Sequence, residues 1–177
     1  MQEVKRSLRR RLIAERKAMR FDVRKTADES IFRQLIALVH DADIVLTYVS
    51  TDIEVDTRQL LQYCFDNKIH VGVPVSGDTE LAFYEIHSFS ELKDGRYGIP
   101  EPVDRTAEIV TTPRSLCIVP ALCADESGLR LGYGKGYYDR FLNRFPGKSA
   151  IICYSDFKME VPAEPHDKKA DMTIFDK

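Results

Sequence analysis

Apolar residues near the N-terminus recur every three or four positions, and further along they gather into short continuous runs. Val4, Leu8, Leu12 and Ile13 trace one stripe without an intervening Gly or Pro, which predicts a helix from 3 to about 19. Ile31, Leu35, Leu38 and Val39 predict a second helix over 22–39, with Asp22 as its N-cap. The run from Asp43 to Val49 is β-branched and unbroken, the pattern of a strand buried on both faces. Asp56 or Thr57 can cap a helix reaching about Asn67, and Ile69 to Pro74 reads as the next strand. Strand, helix, strand over so short a length is a βαβ unit, which implies a parallel sheet with a right-handed crossover.

Leu81 to Ile86 predicts another strand, and 87–114, with Gly95, Gly98, Pro100, Pro102 and Pro113, reads mostly as loop. Ser115 to Pro120 is again a buried run. A helix over Tyr137 to Phe145 follows, with Tyr138, Phe141, Leu142 and Phe145 on one face and Pro146-Gly147 as its stop. Strands over Ser149 to Tyr154 and Met172 to Phe175 complete the chain. The expectation is a single α/β domain over 1–177: three layers, a mainly parallel sheet with helices on both faces, Rossmann-like. Ligands of such sheets bind beyond the carboxyl ends of the strands.

Composition narrows the class. The 177 residues are 44% hydrophobic and 31% charged, with a net charge of −2. That balance supplies no field for nucleic acid. No apolar run approaches the roughly eighteen residues of a membrane span, and no secretory leader pattern is visible, so the cytoplasm is the expected location. Cys64, Cys117, Cys123 and Cys153 form no C-x-x-C pair and read as reduced, buried thiols.

The segment GLRLGYGKGYYD at 128–139 concentrates Gly132, Gly134 and Gly136 around Tyr133 and Lys135. It stands between a strand and a helix, the topology of a phosphate cradle, although a structural turn explains the same glycines. Neither the dinucleotide fingerprint nor the Walker pattern fits, because the glycines alternate strictly and Gly136 follows Lys135. Lys5, Arg9 and Arg16, four and eleven positions apart, fall within about 40° on one helical face. A solvated basic face and a nucleic-acid patch are the other readings of that stripe.

Taken in order, KRSLRR near the N-terminus, EVDT at 54–57, YGIPEP at 97–102, VPAL at 119–122 and RLGYGKGYYDRFL at 130–142 resemble the 5-formyltetrahydrofolate cyclo-ligases, also called 5,10-methenyltetrahydrofolate synthetases. The resemblance runs from about Lys5 to Asp176. It implies MgATP-dependent closure of 5-formyltetrahydrofolate to the 5,10-methenyl form, with ADP and phosphate released. It further implies an ATP site of Lys5, Arg9, Arg130, Leu131, Gly132, Tyr133, Gly134, Lys135, Gly136, Tyr137 and Tyr138. Lys135, Arg130 and Tyr137 would act at the reacting groups. Val49, Glu54 and Tyr97, with Tyr133 to Tyr137, would hold the folate, Glu54 accepting the paired N–H donors of the pterin. Asp139 and Asp171 would hold Mg²⁺. Some family members carry glycine at the position of Lys135, and Phe175-Asp176 departs from the usual end of the last strand. The implied partners are a reduced folate and ATP, with no nucleic acid or membrane, on a monomer. A non-catalytic folate- or nucleotide-binding protein, or a different ATP-dependent ligase on the same scaffold, stays open.

Overall fold

The computed structural model describes residues 1–95, 98–164 and 167–177. Two long helices, α1 (Gln2–Ala18) and α2 (Phe21–Val39), precede β1 (Ile44–Leu46). Then come α3 (Arg58–Asp66), β2 (His70–Ser76) and β3 (Leu81–Glu85). A small antiparallel pair, β4 (Leu92–Asp94) and β5 (Pro100–Pro102), lies in the segment expected to be loop. The rest is β6 (Ser115–Pro120), the hairpin β7 (Cys123–Ala124) and β8 (Arg130–Leu131), α4 (Tyr137–Leu142), β9 (Lys148–Cys153) and β10 (Met172–Phe175).

The main sheet has the order β10-β9-β6-β1-β2-β3. All neighbours are parallel except β3, which returns antiparallel along β2. The crossover from β1 through α3 moves toward β2, and that from β6 through α4 moves the opposite way, to β9. Because such crossovers are right-handed, α3 and α4 cover opposite faces. The three layers follow, and the chain reverses direction between β1 and β6. That reversal is where an α/β sheet opens a crevice beyond its carboxyl ends. Val45, Val71, Ile118, Ile151 and Ile152 fill the centre, each at 1% exposure or less.

Several boundaries differ from expectation for local reasons. The ladder of β1 stops at Leu46, but Thr47, Tyr48 and Val49 stay buried, which is why their pattern reads as strand. α2 starts at Phe21, so Asp22 stands in its first turn, bonded to the Arg20 guanidinium at 2.6 Å. Thr57 precedes α3 without capping it. Its hydroxyl donates to Tyr48 O at 2.6 Å, and Asp56 accepts from Arg58 N at 2.9 Å. α4 ends at Leu142, three residues early, because the chain must turn under β6: a Cβ on Gly147 would stand 2.1 Å from Ser115 O. All four cysteines are free and buried, and burial pushes the thiols of Cys64 and Cys153 up to about 12 and that of Cys123 to about 11. Among the described residues no helix is long and apolar enough to cross a membrane.

Candidate active site at the carboxyl edge of the sheet

The glycine segment leaves β8 at the carboxyl edge. Pairing of Cys123 with Leu131 fixes its start, and Leu122 N donates to Leu131 O at 2.8 Å. Leu131 is buried, so only its backbone faces the segment. Gly134 has φ +94°, a region closed to most L-residues, and a Cβ there would lie 2.9 Å from Arg9 Cζ. The φ requires glycine at this position, whereas the guanidinium, at the end of a flexible side chain, could shift to admit a Cβ. Arg9 also donates through Nε to Gly132 O at 2.8 Å, which lays α1 directly over the segment. α4 has only six residues, and its dipole adds little. The positive charge comes from side chains: Arg9, the exposed Lys135, and Arg130, whose side chain is 4% exposed. Arg130 donates from Nη2 to Asp139 Oδ1 at 3.0 Å and from Nη1 to Lys168 O at 3.1 Å. Tyr137 donates its hydroxyl to Gly77 O at 2.9 Å, fastening the segment to the β2–β3 turn.

On the other side of the reversal the chain leaves β1 through residues 47–57. Glu54 Oε2 accepts from Thr51 N and from Thr51 Oγ1, each at 2.9 Å. The Tyr133 phenol is held above its ordinary value by desolvation of its hydroxyl end and by the charge of Glu54, although 43% of the residue is exposed. The loop after β1 and the glycine segment thus meet at Glu54 and Tyr133. The same loop is braced from beneath. Tyr48 donates to Val55 O at 3.1 Å, Asp28 accepts from Asp56 N at 3.0 Å, and the Tyr154 hydroxyl donates to Asp28 at 2.8 Å. Val49 is 2% exposed and packs in the core beneath this loop. Tyr97 and His166 lie outside the described residues.

The basic stripe of α1 faces inward, which overturns the solvated-face reading. Val4, from the apolar stripe, is 58% exposed, whereas Lys5, Leu12 and Arg16 are buried. Lys5 Nζ pairs with Asp167 Oδ2 at 2.6 Å and Glu164 Oε2 at 2.9 Å. Burial works against its charge, but these two carboxylates outweigh it and raise the ammonium pKa. Arg16 is fully buried. It donates to Leu122 O at 3.1 Å, Ala121 O at 2.8 Å and Ile53 O at 2.9 Å, and its guanidinium lies 4.6 Å from the Phe157 ring centre. One side chain therefore ties α1 to the loops after β1 and β6. Charge spacing points to Arg16 but not to its partners, which are backbone carbonyls.

The two acids expected to hold a metal have different partners. Asp139 takes Arg130 and, at 3.4 Å, Lys168 N. Asp171 Oδ2 takes Ser149 N and Ser149 Oγ, both at 2.7 Å. The segment 168–171 touches both environments, and Asp167 on the same strap reaches Lys5. Among the described residues no three His, Cys, Asp or Glu groups converge as a metal cage. Mg²⁺ needs no such cage, taking one or two carboxylates and completing its shell with water and phosphate oxygens. Asp139 beside Arg130 fits that donor set. Asp171 is already doubly engaged, and Asp167 and Glu164 are the acids that sequence reasoning left unassigned.

The sequence profile of the 5-formyltetrahydrofolate cyclo-ligase family matches residues 1–176. A 5-formyltetrahydrofolate cyclo-ligase of Mycolicibacterium smegmatis is 28% identical over 172 residues, covering 92% of this chain and 89% of the relative. A probable 5-formyltetrahydrofolate cyclo-ligase of Schizosaccharomyces pombe is 34% identical over 139 residues, 68% of each chain. The solved 5,10-methenyltetrahydrofolate synthetase of Aquifex aeolicus superposes with a TM-score of 0.84 at 27% identity, covering 98% of this chain and 90% of that one. That of Mycoplasma pneumoniae superposes at 0.78 with 24% identity, covering 98% and 99%, and speaks for the fold.

Proposed function

Because this chain belongs to the 5-formyltetrahydrofolate cyclo-ligase family, we propose that its carboxyl-edge site closes 5-formyltetrahydrofolate to 5,10-methenyltetrahydrofolate at the expense of ATP. A formamide oxygen is a poor leaving group. Transfer of the γ-phosphoryl group to that oxygen, with ADP released, makes it a good one. N10 of the folate then attacks the activated carbon and gives up its proton, the C–O bond breaks, and phosphate departs. Such chemistry asks the protein for positioning and charge neutralisation.

The observation that carries this reading is the meeting of Glu54 and Tyr133. An anionic acceptor suited to a pterin edge stands beside a glycine segment suited to phosphates. Glu54 holds the pterin through paired N–H donors, and Val49 backs the loop that presents it. Tyr133 and Tyr137 line the junction of the two substrates, with Tyr97 on the folate. Gly132, Gly134 and Gly136 let phosphates approach the backbone, with Leu131 setting the start of the segment and Tyr138 beneath it. Arg9, Arg130 and Lys135 neutralise their charge. Lys5 reaches phosphate only by exchanging Asp167 and Glu164 for it. Asp139 would hold Mg²⁺, and Asp171 would join it as the second carboxylate only by releasing Ser149 N and Oγ. Bound there, the ion would neutralise phosphate charge. All these residues come from one chain, and the enzyme acts as a cytoplasmic monomer.

The test is an absorbance assay with 5-formyltetrahydrofolate and MgATP, following the near-ultraviolet band of the methenyl product. A rise that requires both ATP and Mg²⁺ is expected. Folded protein that binds either substrate without that rise would leave a binding protein in place of an enzyme.

A further inference from the structure

Four consecutive residues of the loop after β1 have peptide groups held by side chains from four different parts of the chain. Arg16 of α1 donates to Ile53 O at 2.9 Å, and the Tyr154 hydroxyl, just beyond β9, donates to Glu54 O at 3.0 Å. Tyr48, beyond the ladder of β1, donates to Val55 O at 3.1 Å, and Asp28 of α2 accepts from Asp56 N at 3.0 Å. Arg16, Tyr48 and Tyr154 are buried, and Asp28 is partly so. Two of the four holds form one unit. Tyr154 shares its single proton between Glu54 O and Asp28 Oδ1, the latter at 2.8 Å, and the same Oδ1 takes Asp56 N. A surface loop can satisfy its peptide groups with water. Here a buried tyrosine and a carboxylate are spent on two of them, which fixes the direction of both.

Among the residues so held is Glu54, read above as the pterin anchor. Within the loop its side chain is tied through one oxygen. Thr51 N and Thr51 Oγ1 both reach Oε2, each at 2.9 Å, and Glu54 N returns to Thr51 O at 3.1 Å. Those bonds fix Glu54 relative to Thr51. Its position over the sheet is set through its carbonyl, by Tyr154 at the end of β9, two strands away from β1. A carboxylate that accepts paired donors tolerates little rotation. One already turned in its bound direction avoids the cost of ordering when the ligand arrives.

We propose that Tyr154 and Asp28 are positioning residues for the folate: together they hold the backbone of Glu54 and Asp56 so that the Glu54 carboxylate faces the pterin. This rests on the cyclo-ligase reading of the site, with Glu54 as the pterin ligand. Both side chains lie beneath the loop and act through Glu54. Among the described residues their hydrogen bonds go to residues 54 and 56 and to each other, and none goes to the glycine segment. The effect therefore falls on folate binding and spares ATP. Because the pterin is held alike before and during reaction, the gain appears in KM and not in kcat.

The variant Tyr154→Phe removes the hydroxyl and keeps the ring beside Arg16 and Phe157. Its KM for 5-formyltetrahydrofolate should rise about threefold to tenfold, with kcat and KM for ATP held within about twofold. Asp28→Ala should do the same. Asp28→Asn keeps an acceptor oxygen for both donors, and its folate KM should stay within about twofold of native. Because the pair acts through Glu54, adding Tyr154→Phe to Glu54→Ala should raise the folate KM no further than Glu54→Ala alone. Ser30→Ala, which loses a bond from α2 to Asp176 O, should lower Tm and leave every kinetic constant native. An unchanged folate KM in Tyr154→Phe and Asp28→Ala overturns the proposal and leaves the cyclo-ligase reading intact. An equal rise in KM for ATP, or a further rise in the double variant, overturns it too, since the bonds would then support the whole cleft. A native folate KM in Glu54→Ala removes the pterin assignment and the proposal with it. No methenyl product from the native chain removes the cyclo-ligase reading as well.

Discussion

At the amino end of the sheet, a cavity of about 390 Å³ is lined by His70, Glu85, His87, Glu91, Asp104 and Glu108. At the carboxyl end, Arg9 lies on the glycine segment, Arg130 flanks it, Arg16 holds the loops after β1 and β6, and Lys5 pairs with Glu164 and Asp167. The amino-end groups are wet and answer one another. His70 Nδ1 pairs with Glu85 Oε1 at 2.5 Å with 68% of its side chain exposed, and His87 stands 3.7 Å from both Glu85 and Glu91 at 74% exposure. At the carboxyl end the side chains of Lys5 and Arg130 are 5% and 4% exposed, and Arg16 is fully buried. A count of ionisable groups does not separate the two ends; the way they are partnered does. Burying charge costs several kcal/mol unless partners are supplied, and only the carboxyl end supplies them. Its partners come from loops after different strands, so the buried charges also fix the loops that must meet at the site.

The largest effect that would sharpen this contrast is on Arg16. Arg16→Ala leaves the carbonyls of Ile53, Ala121 and Leu122 without their donor. At about 1–3 kcal/mol for each buried group left unsatisfied, the loss should reach about 3 kcal/mol or more in urea unfolding. Native-like stability would mean that water enters beneath α1, and the two ends of the sheet would then differ less in how they partner charge.

The next effect separates the two halves of the carboxyl edge. Glu54→Ala should raise KM for 5-formyltetrahydrofolate about tenfold or more while KM for ATP changes less than about twofold, since a charged acceptor of paired donors is worth about 1.5–3 kcal/mol. Equal losses for both substrates would remove Glu54 as the pterin ligand. A smaller effect is expected at Asp139. Its replacement by Ala should raise the Mg²⁺ concentration needed for half-maximal activity several-fold, because Mg²⁺ draws on few protein carboxylates. An unchanged Mg²⁺ titration would leave Asp139 as the partner of Arg130 and Lys168 N alone.

The central strands were legible because Val45, Ile118 and Ile151 lie in runs that only a doubly covered sheet accommodates. β4 and β5 were not, since Pro100 and Pro102 are poor strand residues and each strand has three residues. In the site, the glycine segment was visible in one dimension because its strain is local: Gly134 needs its φ whatever surrounds it. The direction in which the basic stripe of α1 faces was not. Charge spacing places Lys5, Arg9 and Arg16 on one face but cannot say that carbonyls of distant loops wait for Arg16. Asp167 and Asp171 posed a similar difficulty. They are four residues apart, and which of them turns toward Lys5 depends on the path of the strap between β9 and β10.

The smallest effect is the control on the whole comparison. His70 is mostly exposed, and its bond to Glu85 lies on an open rim. Exposed ion pairs of this kind contribute about 0–1 kcal/mol because solvent screens them and side-chain entropy opposes them. His70→Ala should therefore change unfolding free energy by about 0.5 kcal/mol or less. Its kcat/KM should match the native value at every pH tested. A changed pH profile would show that the amino-end cluster communicates with the carboxyl edge through the strands between them. The rule that buried, partnered charge locates the chemistry would then fail for this fold.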